Sequence, residues 1–200
     1  MCLLFETIKV KDGSLYNLRY HSERMNDARR TLFNSQKDID LQTLLAVPEN
    51  CRSGVFKCRV EYSHDIYRIE FCPYKIRKIE TLQLVTDNEI NYQFKYRDRT
   101  RLEELIKQTD ADDILIVKNG FITDTSFSNI IFFDVNKWIT PSSPLLQGTK
   151  RKELLKKGMI WEKDIHQKDI NNFTKAKLIN AMLDKEDGAE IKIIMDSNVQ

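Results

Sequence analysis

The chain has few cysteines, no long apolar run and no excess of charge of one sign. Its four cysteines (Cys2, Cys51, Cys58 and Cys72) form no CxxC pair and have no histidine cluster nearby, which argues against a zinc site and a disulfide framework. No apolar stretch approaches the roughly 18 residues of a membrane span. The start, MCLLFETIKV, is not of the signal-peptide type. We therefore expect no metal centre, no membrane partner and a cytoplasmic location.

The charges are balanced and interspersed along the chain. Lys and Arg total 32 and Asp and Glu total 30, a formal net charge of +2. This balance gives no reason to expect a nucleic-acid partner, and most of the charges are expected on a solvated surface. The 200 residues suffice for one large domain or for two small lobes.

The hydrophobic pattern predicts a mixture of short strands and helices. Asp12-Gly13 and Asn119-Gly120 are strong hairpin turns. Strands are predicted at 3–10, 15–18, 55–62, 66–74, 79–85, 113–118, 121–124, 129–134, 137–140 and 191–195. Helices are predicted at 21–33, 41–46, 98–108, 149–157 and 169–183. The order of these elements predicts a mixed α/β fold with largely antiparallel sheets, in two lobes, 1–82 and 83–200.

Two segments of the first 100 residues carry side chains suited to chemistry. His21 and Arg24 lie three residues apart at a helix start, where an arginine can hold a phosphate or carboxylate through two hydrogen bonds. Lys95 lies between a strand and a helix start, so burial and neighbouring cations could make its amine a nucleophile that forms a Schiff base. Each segment also fits a structural role: a capping histidine with a surface arginine, and a solvated charge cluster.

The third such segment runs from Gly120 to Arg151. Asp124 opens a run of hydroxyl residues that ends at Asn129. Further on, Gly148-Thr149-Lys150 precedes a helix whose free N–H groups could bind a phosphate. A turn and an ordinary helix cap explain the same residues.

Taken together, these blocks resemble the class IV aminotransferase family, the pyridoxal-phosphate enzymes of fold type IV. The family pattern of Phe-Glu-Thr-Ile-Arg, Asp-Gly and Leu-x-x-His-x-x-Arg is matched by Phe5–Lys9, Asp12-Gly13 and Leu18–Arg24. Its cofactor lysine before a helix is matched by Lys95. Its later blocks are matched by Asn119–Asp124, Ser128-Asn129, Thr140-Pro141 and Leu146–Arg151. The resemblance runs from residue 3 to about residue 183.

The resemblance implies a role for each matched residue. Lys95 would hold the cofactor, pyridoxal 5′-phosphate, and move the proton at the substrate carbon. Asp124 would face the nitrogen of the pyridine ring, while Arg24 and the backbone amides of Thr149 and Lys150 would bind the phosphate. Asn180-Ala181 falls in a region that often completes this phosphate site. The cofactor would lie between the two lobes of a D-amino-acid-aminotransferase-like fold, and a homodimer is expected.

The sequence departs from the family pattern in three places, and the third bears on the choice of substrate. Asp124 stands where the family usually has Glu. The chain begins almost at the FET strand, so the leading hairpin of longer relatives is expected to be missing. The Arg-Gly-rich loop of many aminodeoxychorismate lyases is replaced by Glu61–Asp65. Arg59 and Tyr92 are candidate contacts for a substrate carboxylate, although an ordinary arginine exposed on a sheet is the more common interpretation of a residue such as Arg59.

Three functions follow from the resemblance. The first hypothesis is a lyase that converts 4-amino-4-deoxychorismate to 4-aminobenzoate and pyruvate, in folate synthesis. The second is an aminotransferase of the branched-chain or D-amino-acid type that uses the same Lys95. The third is a degenerate relative that binds the cofactor or a partner without turnover. The intact Lys95 and Arg24 favour an enzyme acting on a small amino substrate.

Overall fold

The computed structural model describes residues 2–194, and contacts between Cα atoms divide the chain into two units. The first unit runs to Ile76 and includes Phe94–Asp98, and the second comprises Arg77–Gln93 and the chain from Arg99 onward. The sequence placed this division at residues 82 and 83, with Lys95 in the second lobe. Lys95 belongs instead to the first unit, because its carbonyl accepts a hydrogen bond from the Phe5 N–H at 3.0 Å.

The first unit is built on an antiparallel sheet with the strand order β2-β1-β3-β4. Its strands are β1 (Leu4–Lys11), β2 (Ser14–Leu15), β3 (Val55–Tyr62) and β4 (Ile66–Pro73). Helices α1 (Leu18–Phe33) and α2 (Leu41–Leu44) and a 3-10 turn (Glu49–Cys51) complete it. The Asp12-Gly13 turn is confirmed, with φ of 48° and 78°. The return strand ends at Leu15, earlier than predicted, and Leu18 already begins α1.

Strand β1 is buried on both faces, and the two faces differ in chemistry. Leu4, Ile8 and Val10 pack with Met25 and Ala28 of α1, as the helical spacing predicts. Glu6 shares this face, because side chains alternate along a strand. The opposite face carries Phe5, Thr7 and Lys9. These two faces position different parts of the candidate site.

The second unit contains two four-stranded sheets, β12-β5-β6-β7 and β10-β9-β8-β11. The strands are β5 (Thr81–Thr86), β6 (Asp113–Lys118), β7 (Phe121–Thr125), β8 (Asn129–Asp134), β9 (Lys137–Pro141), β10 (Trp161–Lys163), β11 (Lys175–Ile179) and β12 (Lys192–Ile194). Helices α3 (Thr100–Ile106) and α4 (Thr149–Lys156) and a 3-10 helix (Gln167–Asn172) accompany them. The largest apolar cluster draws side chains from both sheets, with Leu82, Leu115, Ile130 and Phe132 among them.

The fold class predicted from the sequence is confirmed: the chain is mixed α/β. Most strand pairs in the described chain are antiparallel, and the exceptions are β5 with β6, β5 with β12 and β9 with β10. The Asn119-Gly120 hairpin is confirmed, with φ of 52° and 83° at its two turn residues. Among residues 2–194, no helix is long and apolar enough to cross a membrane.

The predicted helix at 169–183 is wrong. A 3-10 helix over Gln167–Asn172 is followed by β11, which pairs antiparallel with β8. Ala176 and Leu178 alternate toward the apolar core, and pairing with β8 satisfies backbone groups that a helix would satisfy internally. The predicted last strand at 191–195 corresponds to β12, and Met195 lies outside the described residues.

Candidate active site

Lys95 and Arg59 lie around one aromatic ring in the first unit. The Nζ atom of Lys95 is 4.8 Å from the centroid of the Phe5 ring. The guanidinium carbon of Arg59 lies 3.9 Å from the same centroid. The sequence singled out both cations separately. The tertiary structure brings them together on the outer face of β1, the face that carries Phe5, Thr7 and Lys9. Cation–π contacts of this kind fix the position of a charged side chain without neutralising it.

Further charged side chains share this face of the sheet. In the β1–β3 ladder Thr7 is opposite Arg59 and Lys9 is opposite Lys57, and opposite residues point to the same face. Glu61, opposite Phe5, accepts a hydrogen bond from Nε of Arg59 at 2.8 Å. On the other side of β3, Glu70 lies opposite Arg59 and Arg68 lies opposite Glu61. With Lys95, the basic side chains on this face outnumber the two carboxylates, Glu61 and Glu70. Of these side chains, Lys9 and Lys57 had no place in the interpretation of the sequence.

Arg24 contacts the inner face of β1, the face that packs on α1, and it forms an ion pair there with Glu6. Its Nε donates to Oε1 of Glu6 at 2.9 Å and its Nη2 donates to Oε2 at 2.5 Å. The Nδ1 atom of His21 lies 2.6 Å from Oε2 of the same carboxylate. Sequence reasoning missed Glu6 as a functional side chain. Two features of the sequence could have pointed to Glu6. It lies in the Phe-Glu-Thr block, and His21 and Arg24 share the helix face that could pair with a carboxylate.

Burial and charge set the protonation of this cluster. Burial by itself would raise the pKa of Glu6, but the charge of Arg24 and the hydrogen bond with His21 outweigh it and lower the pKa to about 2. Burial lowers the pKa of His21 despite its contact with Glu6. At neutral pH the cluster therefore holds an ionised Glu6, a charged Arg24 and a neutral His21 whose Nδ1–H donates to the carboxylate.

In the second unit, Asp124 is a buried carboxylate at the end of β7. Its Oδ1 accepts a hydrogen bond from Nδ2 of Asn129 at 2.7 Å, and its Oδ2 accepts one from the Leu146 N–H at 2.9 Å. Burial raises the pKa of Asp124 to about 6, although both hydrogen bonds and the charge of Arg151 act in the opposite direction. Within residues 2–194, no Lys, Arg or His side chain forms an ion pair with it. Each carboxylate oxygen can accept a further bond.

Helix α4 begins at Thr149, and its first residues are buried. Its N-cap residue, Gly148, has no side chain that could cap the first N–H groups. The ammonium of Lys150 contacts Oε2 of Glu153 at 2.7 Å and Oδ1 of Asp184 at 2.5 Å. Its charge is thus taken up by two carboxylates, which leaves the backbone N–H as the group that Lys150 can offer to an anion.

The turn that contains Asn180 lies beside the chain before β8. The Nδ2 atom of Asn180 donates to Oγ of Ser128 at 2.7 Å, and its Oδ1 accepts from the Met182 N–H at 2.8 Å. The Lys150–Asp184 ion pair ties this same turn to α4. Ser128 is a part of this arrangement that sequence analysis did not single out, although it belongs to the matched Ser-Asn block.

Tyr92, the second candidate substrate contact, belongs to the second unit, whereas Arg59 belongs to the first. Tyr92 lines a cavity of about 500 Å³. Other residues that line this cavity are Lys118, Phe121, Leu145 and Asp164. The ammonium of Lys118 donates to the Ile90 carbonyl at 2.6 Å.

In the described part of the chain, no group of three or more His, Cys, Asp or Glu side chains is arranged so that it could hold a metal ion.

Comparison with known proteins gives the class of this protein. The family model described as amino-transferase class IV matches residues 3–185, so the chain belongs to the class IV aminotransferase family. Members of this family depend on pyridoxal 5′-phosphate, and this chain is therefore a pyridoxal-phosphate-dependent enzyme, a lyase or a transaminase.

Individual relatives cover nearly the whole chain. An uncharacterized protein of Haemophilus influenzae is 37% identical over 182 residues, which are 90% of this chain and 97% of the relative. A Schizosaccharomyces pombe protein, provisionally named aminodeoxychorismate lyase, is 29% identical over 89% of this chain and 85% of its own length. A Haemophilus somnus structure, provisionally named 4-amino-4-deoxychorismate lyase, is 34% identical with a TM-score of 0.83, covering 94% of this chain and 98% of that one.

The residues present fit pyridoxal phosphate. Asp124 is buried with an unusually high pKa and spare acceptor capacity, which is the state of a carboxylate suited to a ring N–H. The first N–H groups of α4 suit a phosphate. Lys95 supplies a primary amine on an ordered segment. The donor set that this cofactor requires is thus present in the described chain.

Proposed function

We propose that this enzyme is a lyase that converts 4-amino-4-deoxychorismate to 4-aminobenzoate and pyruvate. The substrate carries one carboxylate on its ring and another on its enolpyruvyl group. The observation that carries the proposal is the basic face beside Lys95. Arg59 is held there by Phe5 and Glu61, and its two Nη groups have no partner among the described residues. They are suited to bind a carboxylate bidentately.

The relatives support the lyase over a transaminase. The Haemophilus somnus and Schizosaccharomyces pombe proteins both carry a lyase name. Basic side chains beside Lys95 also suit a substrate with two negative charges better than an amino acid with an apolar side chain. Tyr92 is the second proposed contact with the substrate.

In this proposal Lys95 would hold the cofactor, Asp124 would pair with its ring nitrogen, and Arg24 with the N–H groups of Thr149 and Lys150 would bind its phosphate. When bound, pyridoxal phosphate supplies an electron sink for the electron pair left at a carbon that loses a proton. The ionised carboxylate of Asp124 would keep the ring nitrogen protonated, which would strengthen that sink.

The amine of Lys95 acts as the base in the proposed reaction. It takes the proton from the ring carbon that carries the amino group, and the ether C–O bond to the enolpyruvyl group then breaks with its electrons on oxygen. The proton returns to the departing enolate as it becomes pyruvate. The two products account for all atoms of the substrate, and the ring gains aromatic stabilisation.

The test combines product detection with chemical labelling. Cofactor-loaded protein is mixed with 4-amino-4-deoxychorismate, and 4-aminobenzoate is followed by its fluorescence. We expect product from the wild type and from Lys107→Ala, which alters an exposed lysine, and none from Lys95→Ala. Borohydride should fix the cofactor to the peptide that contains Lys95, as read by mass spectrometry.

The outcomes separate the hypotheses. A labelled Lys95 without product would overturn the lyase and favour transamination between an amino acid and a keto acid. Label on a different lysine would overturn the role of Lys95 itself. Arg59→Gln should raise the KM at least tenfold with a smaller change in kcat, while Arg19→Gln on an exposed arginine of α1 should leave both unchanged.

A further inference from the structure

Gly148 leaves space that another side chain occupies. A Cβ atom built at this position would lie 1.8 Å from Oδ1 of Asn129 and 3.0 Å from its Cγ. The φ of Gly148 is −68°, a value that any residue adopts, so backbone conformation does not require glycine here. The requirement is the close approach of Asn129, and it comes from tertiary structure.

The amide nitrogen of Asn129 donates to two groups. Its Nδ2 donates to Oδ1 of Asp124 at 2.7 Å and to the Leu146 carbonyl at 3.0 Å. The Leu146 N–H in turn donates to Oδ2 of Asp124 at 2.9 Å. The three groups form a closed circuit of hydrogen bonds around a buried carboxylate. Both oxygens of Asp124 are therefore fixed in direction.

We infer that Asn129 is a positioning residue that aims the Asp124 carboxylate and keeps it ionised, and that Gly148 is glycine so that Asn129 can do so. The inference rests on the proposed role of Asp124 at the cofactor ring nitrogen. The same glycine precedes α4, so the residue that makes room for the ring-nitrogen partner also begins the proposed phosphate-binding helix.

The chemistry explains why the second donor matters. Family members usually have Glu at this position, and the shorter Asp124 reaches less far. An acid whose pKa is already about 6 loses its charge at neutral pH if one donor is removed. A hydrogen bond to a charged group is worth enough to move the pKa by about one to two units. Asp124 without Asn129 would then be largely protonated near pH 7.

The first experiment measures the pKa of Asp124 in the cofactor-free protein by NMR of ¹³C-labelled aspartate, assigned with Asp124→Asn. Asn129→Leu removes the donor, and Gly148→Ala keeps Asn129 but displaces it. We expect both variants to raise the pKa by about one to two units. The matched controls are Asn171→Leu on an exposed residue and Gly188→Ala, where the nearest atom to a new Cβ is at an ordinary 3.6 Å.

The second measurement is the dissociation constant of pyridoxal phosphate at pH 7.5, from fluorescence titration. Asn129→Leu and Gly148→Ala should weaken binding about tenfold or more, with wild-type affinity in both controls. Should Asn129→Leu fail to fold, Asn129→Ser keeps one hydroxyl donor in a smaller side chain and should give a smaller shift in the same direction.

An unchanged pKa of Asp124 in folded Asn129 and Gly148 variants would overturn the inference. That result is distinguishable from failure of the proposed function, because borohydride labelling of Lys95 in the wild type tests the latter separately. Equal effects of Gly148→Ala and Gly188→Ala on the pKa of Asp124 would contradict the role given to Gly148.

Discussion

Arg24 and Glu6 form a two-point ion pair in the interior of the first unit. Nε and Nη2 of Arg24 each donate to a different oxygen of Glu6, at 2.9 and 2.5 Å. The side chain of Glu6 is inaccessible to solvent, whereas 15% of the Arg24 side chain is exposed. One edge of the guanidinium is thus fixed by the carboxylate, and the proposed function gives Arg24 a second role at the cofactor phosphate.

Removal of the negative charge should destabilise this unit. In Glu6→Gln, Arg24 keeps its charge but loses its ionic partner, and breaking a buried pair in this way costs about 3–5 kcal/mol. The free energy of unfolding from urea titration of the cofactor-free protein measures the effect. Glu49→Gln, on an exposed residue of the 3-10 turn, should change it by less than about 0.5 kcal/mol. Equal stability of both variants would contradict the interpretation of the pair.

The pH dependence of the same pair follows from its lowered pKa. Because the folded pKa of Glu6, about 2, lies below the ordinary 4.5, the stabilisation is present above pH 4.5 and is lost as the pH falls toward 2. Glu6→Gln should abolish this part of the acid sensitivity. Unfolding titrations of both proteins between pH 5 and pH 2 (roughly the limits set by these pKa values) give the comparison.

Arg24 should distinguish phosphorylated from unphosphorylated cofactor. We expect Arg24→Gln to weaken pyridoxal phosphate binding by about ten- to a hundredfold and to leave the affinity for pyridoxal nearly unchanged. Arg19→Gln, on an exposed arginine of the same helix, should leave both affinities as in the wild type. A parallel loss of both affinities would show that Arg24 acts through the fold alone and would remove it from the phosphate site.

Asp124 should make the cofactor-free protein less stable as the pH rises. Its folded pKa of about 6 lies above the ordinary 3.8, so its contribution is present below pH 3.8 and is lost as the pH rises to about 6. A shift of this size corresponds to about 3 kcal/mol at most. Because Glu6 acts in the opposite direction below pH 4.5, the measured quantity is the difference in unfolding free energy between the wild type and Asp124→Asn. This difference should decline for the wild type across the window, and a difference that stays constant or rises would contradict the assigned pKa.

Tyr62 offers a test in which a substitution should not destabilise. Its hydroxyl is buried and has no hydrogen-bond partner among the described residues, and burial raises its pKa. Tyr62→Phe removes a buried polar atom that makes no bond, so stability should be equal or higher by about 1 kcal/mol. Tyr67→Phe on the exposed side chain is the control and should have no effect. A loss of more than about 1 kcal/mol would reveal a partner for the hydroxyl.

Much of the local structure could be predicted from the sequence. The alternation in VFKCRVEY predicts β3 with its correct ends, Val55 and Tyr62. The Asp12-Gly13 and Asn119-Gly120 turns form with positive φ at both residues of each pair. These features depend on neighbours within a few residues, where backbone sterics and side-chain period suffice.

The residues of the candidate site likewise fall into two groups, those that the sequence motifs nominate and those that only the tertiary structure reveals. The order of the motifs identified the family and its cofactor, and it nominated Lys95, Arg24, Asp124, Thr149 and Lys150. It gave no role to Glu6 or Asn129, because a carboxylate in a strand and an amide after a turn are common. Their meaning depends on Arg24, 18 residues further along the chain from Glu6, and on Gly148, beyond the whole of β8 and β9.

The sequence by itself therefore determined the turns, most strands, the helices α1 and α4 and the family to which the enzyme belongs. Only the tertiary structure decided that residues 175–179 form a strand rather than a helix, since the edge of β8 provides the hydrogen-bond partners. It also decided which charges are buried together. A pKa of about 2 for Glu6 and of about 6 for Asp124 arises from burial and from partners distant in sequence, and no local pattern encodes either.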